Sequence, residues 1–205
     1  VVENGSLEDD QLRRDFTVNA LSWSLSENSF GLLIDPFEGI QDLRNGLIRT
    51  PVDPELTFSD DPLRMLRAIR FAAQLGFTIV PETLEAIKKK ASRIEIVSKE
   101  RIITELNKML MSPKPSIGFH YLDDTGLLKI LLPEMTDLKG VDIIKGQGHK
   151  DNFLHTLQVV DNLAPHSDNL YLRWSAVFHD IAKPATKRFD EQQGWTFHGH
   201  EVVGA

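Results

Sequence analysis

The stretch SDDPLRMLRAIRF, residues 59–71, decides how this sequence is interpreted, because it sets two aspartates and three evenly spaced arginines on a run with helical periodicity. At about 100° per residue, Asp61, Arg64 and Arg67 fall on one side of a helix and the apolar residues on the other. Arg70 lies at the edge of the apolar side. The run predicts a single amphipathic helix with a charged face.

The ends of this helix are also marked in the sequence. Ser59 or Asp60 is the expected N-cap, Pro62 lies in the first turn, and Gly76 follows the last periodic residue. Helical periodicity continues in the segments PETLEAIKKKASRI, SKERIITELNKMLM and SIGFHYLDDTGLLKILLPEM, which Pro, Ser or Gly separate. The middle of the chain is therefore predicted to be a helical connector.

The charged face has two interpretations that spacing alone leaves open. Asp61 could pair with Arg64 at i, i+3 while the other arginines are solvated, and such exposed pairs contribute only about 0.2–0.5 kcal/mol each. Alternatively, guanidinium groups could bind phosphates or base edges, and a carboxylate could accept from the exocyclic amine of a base. A helix that offers both groups could discriminate one base from another.

The segments on either side of the connector differ from it. Residues 1–50 are mixed α/β, since the short apolar runs GLLID and GLIRT predict a small strand pair joined by a turn-rich loop. The acidic segment LEDDQL before them is expected to be a lead-in loop. Between residues 133 and 149 the sequence is rich in turns, so a second helical unit is expected to begin near Val141.

Composition excludes several classes of protein. The chain has 205 residues, 41% hydrophobic and 26% charged, which is typical of a globular protein with one sizeable core or two modest ones. No apolar run approaches the roughly 20 residues that span a bilayer, so no membrane contact and a cytoplasmic location are expected. The chain has no cysteine, so any metal must be held by His and carboxylates. A net charge of -7 argues against an overall electrostatic grip on nucleic acid but leaves room for a local basic face.

Four motifs in residues 8–133 resemble one family, the class II tRNA nucleotidyltransferases (CCA-adding enzymes) together with the bacterial poly(A) polymerases. RRDFTVNAL, residues 13–21, resembles the ribose-contacting motif of that family, and DPFEGIQDLRNGLIRT, residues 35–50, the flexible element after it. DDPLRMLRAIRFAAQLGF, residues 60–77, resembles the nucleotide-template helix. VSKERIITEL, residues 97–106, is similar to the helix that supports it. The order of the motifs is also that of the family.

The resemblance implies a role for each matching residue. Arg14 and Asp15 would contact the incoming nucleotide and its ribose, and Asn19 would support the local geometry. Asp61 and Arg64 would pair with the Watson–Crick edge of CTP or ATP. The nucleotide and phosphate contacts would be completed by Arg67 and Arg70. Asp60 stands where the family commonly has Glu, which keeps the charge and shortens the reach.

Structural alternatives exist for the same residues. Arg13 and Arg14 could instead form salt bridges to the preceding acidic residues Glu8, Asp9 or Asp10, and Asp15 could be the N-cap of a helix formed by FTVNAL. The basic residues Lys88, Lys89, Lys90 and Arg93 could contact an RNA backbone, or they could form a solvated helix face.

Nucleotidyl transfer in this family resembles other two-metal reactions, in which paired carboxylates on a strand hold Mg²⁺. The Gly-Gly turn and Asp-x-Asp strand that would carry them normally precede the ribose motif, and residues 1–12 do not resemble them. The Mg²⁺ ligands are therefore expected outside this chain. The chain is expected to be a fragment that binds nucleotides weakly and transfers none alone.

A second set of motifs is rich in histidine. LRWSAVFHDIAKPATKRF, residues 172–189, is a helical apolar run that ends in the doublet His179–Asp180, and DNFLHTLQVVDNL places His155 on another amphipathic helix. WTFHGHEVVGA supplies His198 and His200. A lone histidine at any of these positions is more often a surface or core residue than a ligand. Together they form a set of N and O donors that suits a divalent transition metal without thiolates.

This histidine pattern resembles the HD superfamily of metal-dependent phosphohydrolases. His155, His179 and Asp180 match its motif directly, His200 is the better downstream candidate and His198 the second, and His149 could equally be a loop histidine. The HD pattern usually ends with a further Asp that this chain does not contain. Lys183 could help to bind a phosphate, but an exposed lysine at a helix end is the expected assignment.

The sequence therefore predicts a mainly α fold with three parts. Residues 1–58 are expected to be a short α/β remnant of a nucleotidyltransferase head, residues 59–140 a helical neck that contacts nucleotide and RNA, and residues 141–205 the start of an all-helical HD domain. The expected function is addition of CMP or AMP to a tRNA 3′ end, with CTP, ATP and the tRNA or RNA 3′ end as partners. The alternatives are poly(A) addition, a separate HD phosphohydrolase, or a fragment that only folds and binds.

Overall fold

The computed structural model describes residues 5–205, and the chain divides into two units, Val1–Glu105 and Leu106–Ala205. Helices predominate in both units, which confirms the prediction of a mainly α fold. In the part of the chain that the structure describes, no helix is both long and apolar enough to cross a bilayer.

The first unit contains six helices, three single 3-10 segments and four short strands among its described residues. The helices are α1 (Leu7–Leu12), α2 (Gly39–Asn45), α3 (Pro54–Asp60), α4 (Leu63–Leu75), α5 (Pro81–Lys90) and α6 (Lys99–Leu110), and the division between the units falls within α6. The 3-10 segments are Thr17–Asn19, Glu27–Ser29 and Ala91–Ile96. The strands are β1 (Ser22–Trp23), β2 (Leu33–Ile34), β3 (Leu47–Ile48) and β4 (Thr78–Ile79).

The acidic segment before the first arginines is helical, so the expectation of a loop was wrong. Helix α1 begins with a capping box, in which the Asp9 N–H donates to Ser6 Oγ at 3.1 Å and the Ser6 N–H donates to Asp9 Oδ2 at 2.8 Å. A Ser followed three residues later by an acidic side chain satisfies two backbone donors at a helix start. Three acidic residues in the first turn also favour the helix.

The two predicted strands exist, but they do not pair with each other. β2, from GLLID, pairs antiparallel with β1, while β3, from GLIRT, pairs parallel with β4 some thirty residues later. The predicted strand pair was therefore wrong. The partner of β3 is β4, which α3 and α4 bring back beside it.

The arginine stretch forms two helices, not the single helix predicted. Helix α3 ends at Asp60, Asp61 is extended (φ −137°, ψ 101°), and α4 starts after Pro62. A proline disfavours the helical conformation in the residue before it, which accounts for the break at Asp61. The prediction of Ser59 or Asp60 as N-cap was consequently wrong, since both belong to α3. The predicted end of the helix at Gly76 is confirmed. Gly76 has a φ of 68°, a left-handed conformation that residues with a side chain rarely adopt.

The core of the first unit is built from the apolar face of α4 and the elements around it. Met65 and Ile69 on α4 are fully buried together with Ile48 of β3, Phe58 of α3 and Ile87 of α5. Burying an aliphatic or aromatic side chain of this size stabilises a fold by about 1.5–3 kcal/mol. Burial of the apolar face fixes the rotation of α4 about its axis. The directions in which its arginines extend are therefore also fixed.

The second unit contains the remaining helices and two hairpins among its described residues. The helices are α7 (Pro115–Asp124), α8 (Leu127–Leu131), α9 (Pro133–Asp137), α10 (Asn152–Leu163), α11 (Leu170–Phe178), α12 (Lys183–Thr186) and α13 (His200–Gly204). The strands are β5 (Ile143–Ile144), β6 (Gln147–Gly148), β7 (Arg188–Asp190) and β8 (Gly194–Thr196), which pair antiparallel as β5–β6 and β7–β8.

The hairpins are the main difference from the all-helical end that the sequence predicted. The β5–β6 hairpin lies in the turn-rich segment, and the β8 residue Trp195 donates from its indole N–H to the Gln147 carbonyl at 3.0 Å. His149 lies edge-on to Trp195, with 5.2 Å between ring centroids. The two hairpins are therefore joined to each other, and the helical character of the rest of the unit is as predicted.

A buried arginine holds three segments of the second unit together. Arg173 of α11 is 2% exposed and donates to the carbonyl oxygens of Leu110, Ser112, Ala164 and Ser167 at 2.7–2.9 Å. Carbonyls at helix ends lack intrahelical partners, and a guanidinium has enough donors to satisfy several of them. This anchor fixes α11 and thus the residues that follow it, His179 and Asp180.

Candidate functional sites

Asp15 and Arg67 join the ribose-like motif to helix α4. The Asp15 carboxylate is buried, and its Oδ2 accepts from Arg67 Nε at 2.7 Å, while Oδ1 accepts from the Phe16 N–H at 3.0 Å and from Asn19 Nδ2 at 2.9 Å. The alternative in which Asp15 caps a helix formed by FTVNAL was wrong, because this segment contains only the 3-10 turn Thr17–Asn19 with Phe16 at its N-cap. Asp15 thus contacts two other candidate nucleotide-binding residues, Asn19 and Arg67.

Asp61 and Arg64 do not form the ion pair considered from the sequence. Asp61 Oδ2 accepts from Arg101 Nη2 at 2.8 Å, and Oδ1 accepts from the Leu63 N–H at 3.2 Å. Arg64 pairs instead with Asp60 at 3.2 Å and donates to the Arg13 carbonyl at 2.6 Å. The i, i+3 pairing was wrong because Asp61 is extended and lies outside α4.

A cavity of about 320 Å³ opens where α1 approaches α4, and it is lined by Asp10, Arg13, Arg14 and Arg64. Arg13 and Arg14 both donate to the Asp10 carboxylate. This pairing is one of the salt bridges considered as an alternative from the sequence. The hydrogen bonds from Arg14 and then Arg13 hold the pKa of Asp10 below its ordinary value. Three guanidinium groups therefore meet at one cavity with a single carboxylate among them.

Arg70 faces away from this cavity into the core. It is 8% exposed, and its Nε donates to Glu105 Oε2 at 2.6 Å while Nη1 donates to Gln74 Oε1 at 2.7 Å. Its guanidinium also lies 3.9 Å from the centroid of the Phe71 ring. The geometry thus gives Arg70 a buried ion pair, whereas Arg64 reaches the cavity.

The basic residues of α5 and the turn after it have partners on the protein. Lys88 pairs with Glu85, Lys89 and Lys90 pair with Glu55, and Arg93 donates to the Ser59 carbonyl. The bond from Lys89 and the second cation Lys90 lower the pKa of Glu55. These cations form a paired surface, and each could contact RNA only in competition with its carboxylate or carbonyl partner.

In the second unit, three of the predicted metal ligands converge. His155 on α10 and His179 and Asp180 after α11 each offer a donor atom, and these atoms lie within 4.8 Å of one another. The Asp180 carboxylate is buried at 3% exposure, with His179 Nε2 at 3.1 Å from its Oδ2. Two imidazoles and a carboxylate are a donor set that suits a transition metal.

The hydrogen bonds of the histidines fix which nitrogen faces the carboxylate. His179 Nδ1 lies 2.8 Å from the Ala176 carbonyl and His200 Nδ1 lies 2.8 Å from the Phe197 carbonyl, so each Nδ1 carries the proton. Nε2 is then the ring nitrogen that faces the carboxylate. His200 Nε2 is 3.4 Å from Asp180 Oδ1, so the Nε2 atoms of two histidines face one buried carboxylate. Such an arrangement is favourable when a cation lies among these atoms.

The remaining residues of the histidine set differ in position. His198 is exposed and is not among the three converging donors. Lys183 was expected at an exposed helix end, but its side chain is only 20% exposed and its Nζ lies 2.7 Å from Asp180 Oδ2. That expectation was wrong, because α12 starts at Lys183 and turns its side chain back towards Asp180.

Sequence reasoning missed several residues that position these sites. Arg101 and Glu105 lie four residues apart on α6, within the predicted supporting helix, and hold Asp61 and Arg70 respectively. The i, i+4 spacing of a cation and an anion on one helix was the available signal. Arg173 gave no such signal, since it lies in an apolar run and its partners are backbone carbonyls.

Comparison with known protein families matches three segments of the chain. Residues 1–49 match the family described as the poly A polymerase head domain, residues 76–139 the family described as a probable RNA and SrmB-binding site of polymerase A, and residues 152–205 the HD domain family.

Curated relatives match along almost the whole chain. A multifunctional CCA protein of Pseudomonas fluorescens is 37% identical over 97% of this chain and 48% of that protein. An A-adding tRNA nucleotidyltransferase of Deinococcus radiodurans is 38% identical over 98% of this chain and 46% of that protein. The chain thus spans about half the length of the curated relatives it matches.

Solved structures give the same result. A crystal structure of the Bacillus stearothermophilus CCA-adding enzyme in complex with CTP superposes with a TM-score of 0.69 and 30% identity, covering 89% of this chain and 42% of that one. The Thermotoga maritima CCA-adding enzyme complexed with tRNA has a TM-score of 0.59 and 28% identity, covering 88% and 48%.

Proposed function

We propose that this chain carries the nucleotide-selecting part of an enzyme that adds CMP and AMP to the 3′ end of tRNA. The premise is that the chain belongs to the family of CCA-adding tRNA nucleotidyltransferases and bacterial poly(A) polymerases. The observation that carries this proposal is the cavity at which Arg13, Arg14 and Arg64 meet. CTP, ATP and the tRNA 3′ end are the proposed partners.

The chemistry of the two bases explains why a carboxylate and a guanidinium would select them. Cytosine and adenine each present an exocyclic amine beside an unprotonated ring nitrogen, whereas uracil and guanine present a carbonyl beside a ring N–H. The Asp61 carboxylate would accept from the amine and the Arg64 guanidinium would donate to the ring nitrogen. Uracil and guanine would place acceptor against acceptor and donor against donor, which is costly in a desolvated site.

The remaining candidates would orient the nucleotide. Arg14 would bind the triphosphate, Asp15 and Asn19 would contact or position the ribose, and Arg67 would hold Asp15 in place. Arg70 would act through the core by fixing the rotation of α4. Mg²⁺ is the proposed cofactor, which would neutralise charge on the triphosphate; none of the described residues is assigned to it.

Domain boundaries and location complete the proposal. We assign residues 1–58 to the head, 59–140 to the neck and 141–205 to the HD domain, and we place the enzyme in the cytoplasm.

The direct test of this proposal uses the intact gene product with labelled CTP and ATP and two acceptors, a tRNA that lacks its 3′ CCA and an unrelated RNA. We expect CMP and AMP to be incorporated into the tRNA only. Long AMP tracts on both acceptors would favour the poly(A) polymerase alternative, and no incorporation into either would refute the proposal.

A second function, metal-dependent phosphohydrolysis, is favoured by the convergence of His155, His179 and Asp180. With His200, these residues would hold a divalent transition metal, which would act as a Lewis acid towards a phosphate ester. His198 is the reserve ligand. Asp180→Ala should abolish metal-dependent hydrolysis of bis-p-nitrophenyl phosphate and leave nucleotide incorporation intact, whereas Arg64→Ala should do the reverse. Loss of both activities in either variant would argue against two separate sites.

A further inference from the structure

Lys183 occupies an unusual position beside the candidate metal centre. Its Nζ lies 2.7 Å from Asp180 Oδ2, the same carboxylate oxygen that His179 Nε2 approaches at 3.1 Å. The Asp180 side chain is 4% exposed and the Lys183 side chain 20% exposed. A protein cation is therefore already bound to the buried anionic ligand of the site.

We propose that Lys183 is an internal competitor of the metal for Asp180, and that metal binding displaces its ammonium group from that carboxylate. The inference rests on the proposed metal site and adds to it a residue that sets metal affinity without being a ligand. A Lys ammonium offers donors only, so it cannot coordinate a metal while it is protonated.

Competition follows from the geometry of one carboxylate oxygen. Zn²⁺, for example, binds carboxylate oxygen at about 2.0–2.2 Å, closer than the ammonium in this structure. Since Lys183 Nζ and His179 Nε2 both lie against Oδ2, a metal held by His179 and Asp180 would be close to the ammonium. Two cations on one desolvated oxygen repel each other, because the Coulomb interaction is poorly screened in a buried site.

The backbone keeps the Lys183 ammonium at a high local concentration around Asp180. Lys183 is three residues after Asp180, and its backbone N–H donates to the Asp180 carbonyl at 3.0 Å, which fixes the turn between them. The part-buried bond from Lys183 Nζ to Asp180 Oδ2 is charge-assisted, and such bonds are among the stronger polar interactions in proteins. The chain therefore keeps the Lys183 ammonium next to Asp180, unlike a cation that diffuses freely in solvent.

Lys183 also has a second partner, which it contacts while it is bound to Asp180. Its Nζ lies 5.5 Å from the centroid of the Phe197 ring, within the range of a cation–π contact. Because this contact coexists with the bond to Asp180, it would remain available to the ammonium after release from the carboxylate. This contact makes displacement by a metal feasible without refolding of α12.

The test is a titration of the intact chain with Mn²⁺, in which free Mn²⁺ is measured by electron paramagnetic resonance. Lys183→Met keeps most of the aliphatic stem and removes the charge, so we expect Mn²⁺ to bind about tenfold more tightly, the order of a lost charged hydrogen bond. Lys187→Met is the matched control, since Lys187 lies on the same segment but pairs with Asp142. It should leave the Mn²⁺ affinity unchanged.

The outcomes separate the inference from the metal site itself. Equal or weaker binding by Lys183→Met, with the wild type binding and Asp180→Asn not binding, would overturn the inference and leave the site. If neither the wild type nor Lys183→Met binds Mn²⁺, both the inference and the proposed metal site are overturned. Binding by Lys183→Met alone would support the competition strongly.

A second measurement needs no variant. Acetylation of lysines by sulfosuccinimidyl acetate, read by mass spectrometry, should increase several-fold at Lys183 when Mn²⁺ is added, because the ammonium loses its carboxylate partner. Lys145, whose side chain is 68% exposed, is the internal reference and should not change. An unchanged Lys183 reactivity with Mn²⁺ bound would contradict the displacement.

Discussion

Asp15 and Arg67 lie 52 positions apart in sequence and form one ion pair, with Arg67 Nε at 2.7 Å and Nη2 at 2.6 Å from Asp15 Oδ2. Asp15 also accepts from Asn19, so the pair connects the arginine helix to the segment that carries the ribose-like motif. Neither segment could shift relative to the other without breaking this bond.

Arg67→Ala should therefore both destabilise the first unit and weaken nucleotide binding. The variant leaves a buried carboxylate without its cation, which costs about 2–4 kcal/mol in the free energy of unfolding. Urea unfolding measures this loss. Arg44→Ala is the control, because Arg44 is exposed at the end of α2. Equal stability of both variants would show that the Asp15–Arg67 bond contributes nothing.

Arg70→Ala should reduce stability more than it reduces substrate selectivity. Its ion pair with Glu105 is buried on both sides, with side-chain exposures of 10% and 5%, so removal of one partner costs about 3–5 kcal/mol. Thermal unfolding provides the measurement and Arg93→Ala, an exposed arginine, the comparison. If Arg70→Ala is as stable as the wild type but loses CTP binding, Arg70 contacts nucleotide directly.

Arg173→Ala should destabilise the second unit without any direct effect on metal ligands. Four carbonyl oxygens lose a charged donor, and a cost above about 3 kcal/mol is expected from such a buried network. The control is Arg188→Ala on the exposed strand β7. Hydrogen exchange of the α10 and α11 amides reports the loss; unchanged protection there would contradict the anchoring role.

The carboxylate at the cavity should titrate below its ordinary pKa. Hydrogen bonds from Arg14 and Arg13 lower the pKa of Asp10 from 3.8. A lowered folded-state pKa contributes stability above the unfolded value, and this contribution is lost as the pH falls through the folded pKa. Carboxyl NMR should show that Arg14→Ala raises the pKa of Asp10 and leaves that of Asp9, which Ser6 lowers, unchanged. A pKa for Asp10 at or above 3.8 in the wild type would refute the pairing.

Helix content was predictable from periodicity, but the break in the arginine stretch was missed. The rule that a residue before proline avoids the helical conformation was available and points to Asp61. It was outweighed by the helical spacing of charges, which continues through the break. A consequence is that Asp61 and Arg64 lie on different elements, with separate partners.

Long-range pairing was the part of the fold that the sequence did not reveal. β3 pairs with β4 only because two intervening helices return the chain, and the local pattern of GLIRT contains no information about its partner. Arg173 was missed for a similar reason, because its four acceptors are backbone groups that any residue type provides. The histidine set was easier to find, since metal donors belong to few residue types.

The central claim is that Asp61 and Arg64 select the base, and the most direct measurement is equilibrium dialysis of the intact chain with labelled CTP, ATP, UTP and GTP. The wild type should bind CTP and ATP in preference to UTP and GTP. Asp61→Asn replaces an acceptor by an amide that also donates, so it should remove most of this preference, and Arg64→Ala should weaken CTP and ATP binding about tenfold or more. Arg44→Ala should behave as the wild type. A preference for CTP and ATP that survives unchanged in both Asp61→Asn and Arg64→Ala would contradict the account.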